Sequence, residues 1–83
     1  MKSVKEIVLE QHTQIMRENG IDDYSREDME VGASSGLDSL GIVDFIIGIE
    51  GELNIELDES LGEIRNSKTI KEIIEVIEKS VNK

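Results

Sequence analysis

The chain has 83 residues, of which 37% are hydrophobic and 2% aromatic, and its net charge is −10 at pH 7. A chain this short forms one domain, expected over residues 1–83, and buries only about 60 to 65% of its unfolded surface. The acidity argues against nucleic acid and anionic membrane surfaces as partners, and the lack of cysteine excludes disulfides and thiolate metal sites.

The N-terminal segment does not have the pattern of a secretory leader. Its two lysines are followed by an apolar stretch that Glu6 and Glu10 interrupt. No apolar run in the chain approaches the roughly 20 residues of a membrane span. We therefore expect a cytoplasmic protein that is not inserted in a membrane. Its acidic surface favours partners with basic patches, although acidity also serves solubility alone.

The first predicted helix begins at Val4 and ends near Arg17. Its apolar residues recur at helical spacing on one face: Val4, Ile7, Val8, Ile15 and Met16. Asn19 and Gly20 follow as a stop signal, because glycine adopts the left-handed conformation that ends many helices. His12 has no cysteine or second histidine with which to bind a metal, and we expect it to be solvated.

Residues 21–37 have neither a helical nor a strand period and predict a long loop. We expect Ile21, Tyr24, Met29 and Val31 to attach this loop to the core. Its acidic part lacks the glycine and the closing glutamate of a calcium loop, so no metal site is predicted. Loops of this length in compact domains are usually functional.

The second predicted helix runs from Ser39 to about Leu53, with Asp38 as its N-cap. Its apolar residues are distributed nearly all round the helix: Leu40, Ile42, Val43, Phe45, Ile46, Ile47 and Ile49. We therefore expect this helix to be central and packed on several sides. Several of these residues are β-branched, so a strand is the alternative over 42–49, but the strong N-cap and the charged end favour a helix.

Two more helical segments complete an all-α pattern. A short helical turn is predicted near Glu59 to Ile64, and a last helix after Ser67 or Thr69 that ends near Val81. The last helix has a continuous apolar stripe: Ile70, Ile73, Ile74, Ile77 and Val81. Thr69 and Glu72 have the spacing of a capping box.

Ser39 is the residue with the clearest chemical potential. At the first position of a helix it lies beside unpaired N–H groups and the positive end of the helix dipole, where a phosphate is stabilised. Aliphatic residues of the same helix, Leu40, Val43, Ile46 and Ile47, offer surface to an acyl chain at about 0.8 kcal/mol per buried CH₂. From the spacing alone, ordinary helix capping is the simpler interpretation of this serine.

The segment Gly36-Leu37-Asp38-Ser39-Leu40 resembles the Gly-x-Asp-Ser-Leu motif of acyl carrier proteins. The resemblance covers most of the chain, because length, acidity, order of helices and the long first loop also fit. It continues through residues 50–57 and 69–73. It implies a small four-helix bundle of acyl-carrier type, with three main helices and one short helix, that is monomeric and is not itself an enzyme.

The resemblance also implies a cofactor and partners. Ser39, flanked by Asp38 and Leu40, would receive 4′-phosphopantetheine from coenzyme A through a phosphopantetheinyl transferase. The arm would carry acyl groups as thioesters for fatty acid, polyketide or specialised lipid biosynthesis. Synthases, ligases or transferases with basic docking patches would bind the acids of the second helix and its exit, and an acyl chain would be sheltered beside that helix. The docking acids implied are Asp44, Glu50, Glu52 and Glu56, and the residues of the acyl pocket are Val43, Ile46 and Ile47.

Several positions depart from the family pattern. Gly41 and Gly51 replace common acids, Gly48 lies inside the helix, Ser35 replaces a frequent leucine, and the proline after the second helix is missing. These departures favour a specialised carrier, and a D-alanyl or other aminoacyl carrier is the alternative. An unmodified acidic helical adaptor that binds a basic partner is a second hypothesis. A small hydrolase with Ser39 as nucleophile is the weakest, because no base is evident.

Overall fold

The computed structural model describes residues 2–82, which form a small all-α bundle as the sequence predicts. Its helices are α1 (Val4–Glu18), α2 (Ser39–Leu53), α3 (Leu61–Asn66) and α4 (Ile70–Val81). Single 3₁₀ turns precede α2 and α3, at Ala33–Ser35 and Asp58–Ser60. None of the helices within residues 2–82 combines the length and the apolar character needed to cross a membrane.

The starts of α2 and α4 lie where the capping residues predict them, whereas α3 begins and ends two residues later than predicted, after the 3₁₀ turn at Asp58–Ser60. α2 begins at Ser39 because the Asp38 carboxylate accepts the Gly41 N–H at 2.8 Å, and α4 begins with the predicted capping box of Thr69 and Glu72. α1 extends one residue beyond the prediction, and Gly20 follows it at a φ of 77°. The residues that cap α2 and α4 thus mark the starts of these helices in the sequence.

The core is an aliphatic cluster around Phe45. α1 packs against α2 and α4, and α3 closes the bundle against α4. The buried members of the cluster are Val8, Ile15, Leu37, Ile42, Phe45, Ile46, Ile49, Leu57, Ile64, Ile70, Ile73, Ile74 and Ile77. The apolar stripes predicted for α1 and α4 thus face the core, except that Val81 at the end of α4 is 40% exposed.

The loop between α1 and α2 is attached to the N-terminus of α4. The Ile70 N–H donates to the Met29 carbonyl at 3.0 Å, and the Val31 N–H donates to the Lys68 carbonyl at 2.9 Å. Met29 and Val31 also pack against the core, as predicted. The prediction for Tyr24 is wrong: its side chain is 69% exposed and its ring lies 5.4 Å from the Arg17 guanidinium, because the phenol is anchored on the outside of α1.

The prediction that α2 is packed on several sides is also wrong. One face, with Ile42, Phe45, Ile46 and Ile49, is buried, whereas Leu40 is 80% exposed, Ile47 60% and Val43 39%. In a bundle of four short helices, the other three do not provide enough surface to cover α2 on all sides. The three exposed residues form a surface that we call the apolar strip of α2.

Candidate functional site

Ser39 lies at the mouth of α2 beside an open cavity of about 400 Å³. The cavity is lined by loop residues 31–33, by residues 37–39 and by Ile42, Arg65 and Ser67. The Ser39 side chain is exposed, and no residue within 2–82 forms a hydrogen bond with its hydroxyl. This oxygen is therefore accessible from solvent.

The backbone before Ser39 is held by glycines and by a buried leucine. Gly36 has a φ of 79°, a conformation that favours glycine, and Leu37 is buried while its N–H donates to the Gly32 carbonyl at 2.9 Å. A Cβ at Gly41 would collide with the Gly36 carbonyl oxygen. Gly41 thus has a steric role, since the absence of a side chain lets the loop lie directly on the first turn of α2. The sequence alone indicated only that this glycine replaces a common acid.

His12 is fully buried, so the prediction of a solvated histidine is wrong. Its Nε2–H donates to the Ser35 carbonyl at 2.9 Å, which leaves Nδ1 to accept from the Ser25 hydroxyl at 2.6 Å. The ring also meets Phe45 edge-on, with centroids 5.9 Å apart. Burial lowers the pKa of His12 below its ordinary value of 6.5.

Ser35 shares this buried arrangement, since its hydroxyl donates to the Glu30 carbonyl at 2.6 Å. His12 and Ser35 together fix the end of the long loop just before the motif that contains Ser39. The sequence held a signal for this role of His12, because it follows Val8 by four residues and precedes Ile15 by three, and so lies on the apolar face of α1.

This arrangement bears on the hydrolase hypothesis. Both ring nitrogens of His12 are occupied by the two serines, and the ring lies inside the bundle. His12 therefore does not act as a base for Ser39, and a nucleophilic serine without a base is not activated. What the site does offer is an accessible hydroxyl at the positive end of a helix, where phosphate esters are stabilised.

The three predicted residues of the acyl pocket line one cleft between α2 and α3. Val43, Ile46 and Ile47 form its apolar wall, and the cleft has a volume of about 180 Å³. The opposite side is formed by Leu61 and by polar residues, of which Arg65 also lines the cavity at Ser39. Sequence reasoning had not singled out Arg65, because the orientation of so short a helix depends on tertiary packing.

The four predicted docking acids do not share one face. Asp44, Glu52 and Glu56 are exposed, but Glu50 is half-buried and its carboxylate accepts the Leu57 N–H at 2.7 Å. Glu50 therefore holds the turn after α2, and the docking role of all four residues stays a prediction.

The acids of α2 are divided between two sides of the helix. At 100° per residue, Asp44 flanks the apolar strip, whereas Glu52 points away from it. The charge of Glu52 acts on Lys2 of the N-terminal segment, whose pKa is raised mainly by a hydrogen bond to Glu10 and to a smaller degree by Glu52. Only Asp44 and Glu50 therefore accompany the exposed apolar residues.

Comparisons with protein-family models, with curated proteins and with solved structures found no match for this chain. The motif at Gly36 to Leu40 and the geometry around Ser39 are therefore the features of the chain that bear on its function.

Proposed function

We propose that this protein carries acyl groups on a 4′-phosphopantetheine arm attached to Ser39. The observation that carries the proposal is the exposed, unpartnered hydroxyl of Ser39 at the start of α2, beside an open cavity and within a motif of the acyl-carrier type. The exposed position also fits the covalent group, because an ester at this oxygen displaces no core side chain.

In the modification, the Ser39 oxygen attacks the phosphorus of the coenzyme A pyrophosphate that bears the pantetheine. An oxygen–phosphorus bond to serine forms, the bond to the adenosine 3′,5′-bisphosphate leaving group breaks, and the serine proton passes to the transferase. The N–H groups of Ser39 and Leu40, which open α2, would contribute their partial positive charge to binding the new phosphodiester. Asp38 caps the same turn through the Gly41 N–H and so keeps the helix start rigid while the enzyme acts.

When bound, the arm supplies a thiol that holds the acyl group as a thioester. The cleft lined by Val43, Ile46 and Ile47 is the candidate shelter for that group. Its volume of about 180 Å³ is close to that of a cavity that binds benzene, about 150 Å³, so it accommodates roughly six carbon atoms. In this proposal the chain presents its cargo and partner enzymes perform the reactions.

The apolar strip of α2 is the candidate contact surface for those enzymes. Leu40 directly follows the attachment serine, Val43 and Ile47 continue the strip along the helix, and Asp44 flanks it. An apolar centre with acids at its edge fits a partner that combines an apolar patch with basic residues.

The same strip is what favours the second candidate function, an unmodified acidic adaptor. Exposed aliphatic residues on a helix surface bind a partner whether or not Ser39 is modified. The two functions differ in their dependence on the serine: an adaptor binds its partner equally well after Ser39→Ala, whereas a carrier loses its loaded form.

The test is an incubation of the purified protein with coenzyme A and a broadly acting phosphopantetheinyl transferase, followed by intact mass measurement. We expect one added phosphopantetheine on the wild type and on the control variant Ser34→Ala. Ser34 is an exposed serine of the loop that precedes α2. Ser39→Ala should gain no mass while its circular dichroism spectrum is unchanged. A wild-type protein that gains no mass, or a gain that survives Ser39→Ala, would overturn the proposal.

A further inference from the structure

Arg65 borders both cavities of the candidate site. It lies in the last turn of α3 and lines both the 400 Å³ cavity at Ser39 and the 180 Å³ cleft beside α2. Among residues 2–82 it is the only cationic side chain that lines either of them. A cation in the last turn of a helix is ordinary, because the helix dipole favours it there, but the dipole does not require a position that borders both cavities.

The Arg65 guanidinium also has no ion pair within the described part of the chain, whereas Arg26 binds two carboxylates. Three carboxylates line the same cavities, of which two already have partners and the third, Asp58, forms no ion pair with Arg65. Asp38 accepts the Gly41 N–H, and Glu50 accepts the Leu57 N–H. In a chain with a net charge of −10, an unpaired arginine among acids is available to an anion from outside the polypeptide.

A phosphodiester on Ser39 presents such an anion. It would be held next to the carboxylate of Asp38, which repels it, so a nearby cation lowers the electrostatic cost of modification. A guanidinium matches phosphate oxygens with two parallel hydrogen bonds, which an ammonium does not. Because attachment to Ser39 confines the phosphate to this end of the bundle, even a weak pair is well populated.

The geometry points to Arg65 as the residue that binds the phosphodiester of the Ser39-linked arm and so positions the arm between the serine cavity and the apolar cleft. This inference rests on the proposed function and adds to it a positioning residue that the motif does not contain. It concerns the phosphate and not the cargo, so it applies whichever acyl or aminoacyl group is carried.

The test compares modified and unmodified forms of three proteins: wild type, Arg65→Gln and Arg17→Gln. Arg17→Gln is the matched control, because it removes the same charge from an exposed arginine whose contact is with Tyr24. Intact mass first establishes that each protein carries one arm. Arg65→Lys is measured alongside, and it replaces Arg65→Gln if the glutamine variant is not loaded.

The first readout is the ³¹P resonance of the phosphodiester. We expect it to shift in Arg65→Gln relative to wild type, to stay at the wild-type position in Arg17→Gln and to lie between the two in Arg65→Lys. The second readout is the change in melting temperature on modification. Since surface ion pairs are weak, we expect loss of Arg65 to make this change less favourable by roughly 1 to 6 °C, an effect that shrinks with added salt.

Two failures are distinguishable. If the wild type accepts no arm, the proposed function and this inference fail together. If all variants are loaded but wild type and Arg65→Gln have the same ³¹P resonance and the same change in melting temperature, only the role of Arg65 is overturned.

Discussion

Replacement of Gly41 by alanine should destabilise the protein, although alanine is the better helix former. The helix itself gains about 0.5 to 1 kcal/mol from the substitution. Against this, the new Cβ meets the Gly36 carbonyl oxygen, which is backbone and cannot rotate away, and lies 3.2 Å from the Asp38 carboxylate that caps the helix. Overpacking of this kind costs about 1 to 3 kcal/mol, and a lost cap costs about 1 kcal/mol.

The net loss expected for Gly41→Ala is therefore about 1 to 3 kcal/mol of unfolding free energy. The matched control is Gly51→Ala on the same helix, where a Cβ has no neighbour within 4 Å and only the helix-propensity gain of about 0.5 to 1 kcal/mol applies. Urea unfolding at a fixed m-value measures both changes. In a domain of this size the two variants should differ in melting temperature by roughly 6 °C or more.

Gly48→Ala is an intermediate case, because its Cβ would meet the end of the flexible Gln11 side chain, which can move aside. We expect its stability to lie between those of the other two variants. If Gly41→Ala were as stable as Gly51→Ala, the close approach of the loop to α2 would be refuted, and with it the account of how Ser39 is positioned.

Three further predictions concern stability. Burial lowers the pKa of His12, so below about pH 6.5 the unfolded chain binds more protons than the folded chain. The contribution of neutral His12 to the free energy of unfolding should therefore be fully present above about pH 6.5 and be lost as the pH falls below it. Urea unfolding at a series of pH values should show this dependence, and its slope should be smaller in His12→Gln. An unchanged slope in that variant would exclude His12 as its source. Thr69→Ala removes the capping box of α4 and should cost about 1 kcal/mol, whereas Ser34→Ala, which caps no helix, should cost almost nothing in the same assay. Repulsion among the 19 acidic residues should make the melting temperature rise with added sodium chloride, and a flat or falling salt dependence would contradict this.

The starts of α2 and α4 were predictable because they depend on local chemistry. Asp38 before an apolar run and Thr69 three residues before Glu72 each supply a cap from neighbouring residues alone, and the structure has α2 and α4 begin where these caps predict. The same holds for Gly20, which ends α1 through its own backbone conformation. The all-α class and the exposure of Ser39 follow from these local signals.

Features that depend on tertiary packing were not predictable in the same way. Apolar residues are distributed nearly all round α2, so its sequence does not indicate which of them another helix covers. The exposure of Leu40 and Ile47 emerges only from the arrangement of the bundle. The place of Arg65 depends on the orientation of a helix of six residues, which has too few positions to show a periodic face. The burial of His12 is a different case, because the spacing of His12 from Val8 and Ile15 places it on the apolar face of α1. The polarity of the imidazole nevertheless led to the wrong prediction that it is solvated.

The chemical state of Ser39 in the protein isolated from its natural host tests the central claim most directly. Trypsin cleaves after Arg26 and Arg65 and releases a peptide of residues 27–65 that contains this serine. The account predicts that fragmentation of this peptide places a phosphopantetheine, free or acylated, on Ser39. A peptide recovered only in its unmodified form, from cells whose other carrier proteins are modified, would contradict it.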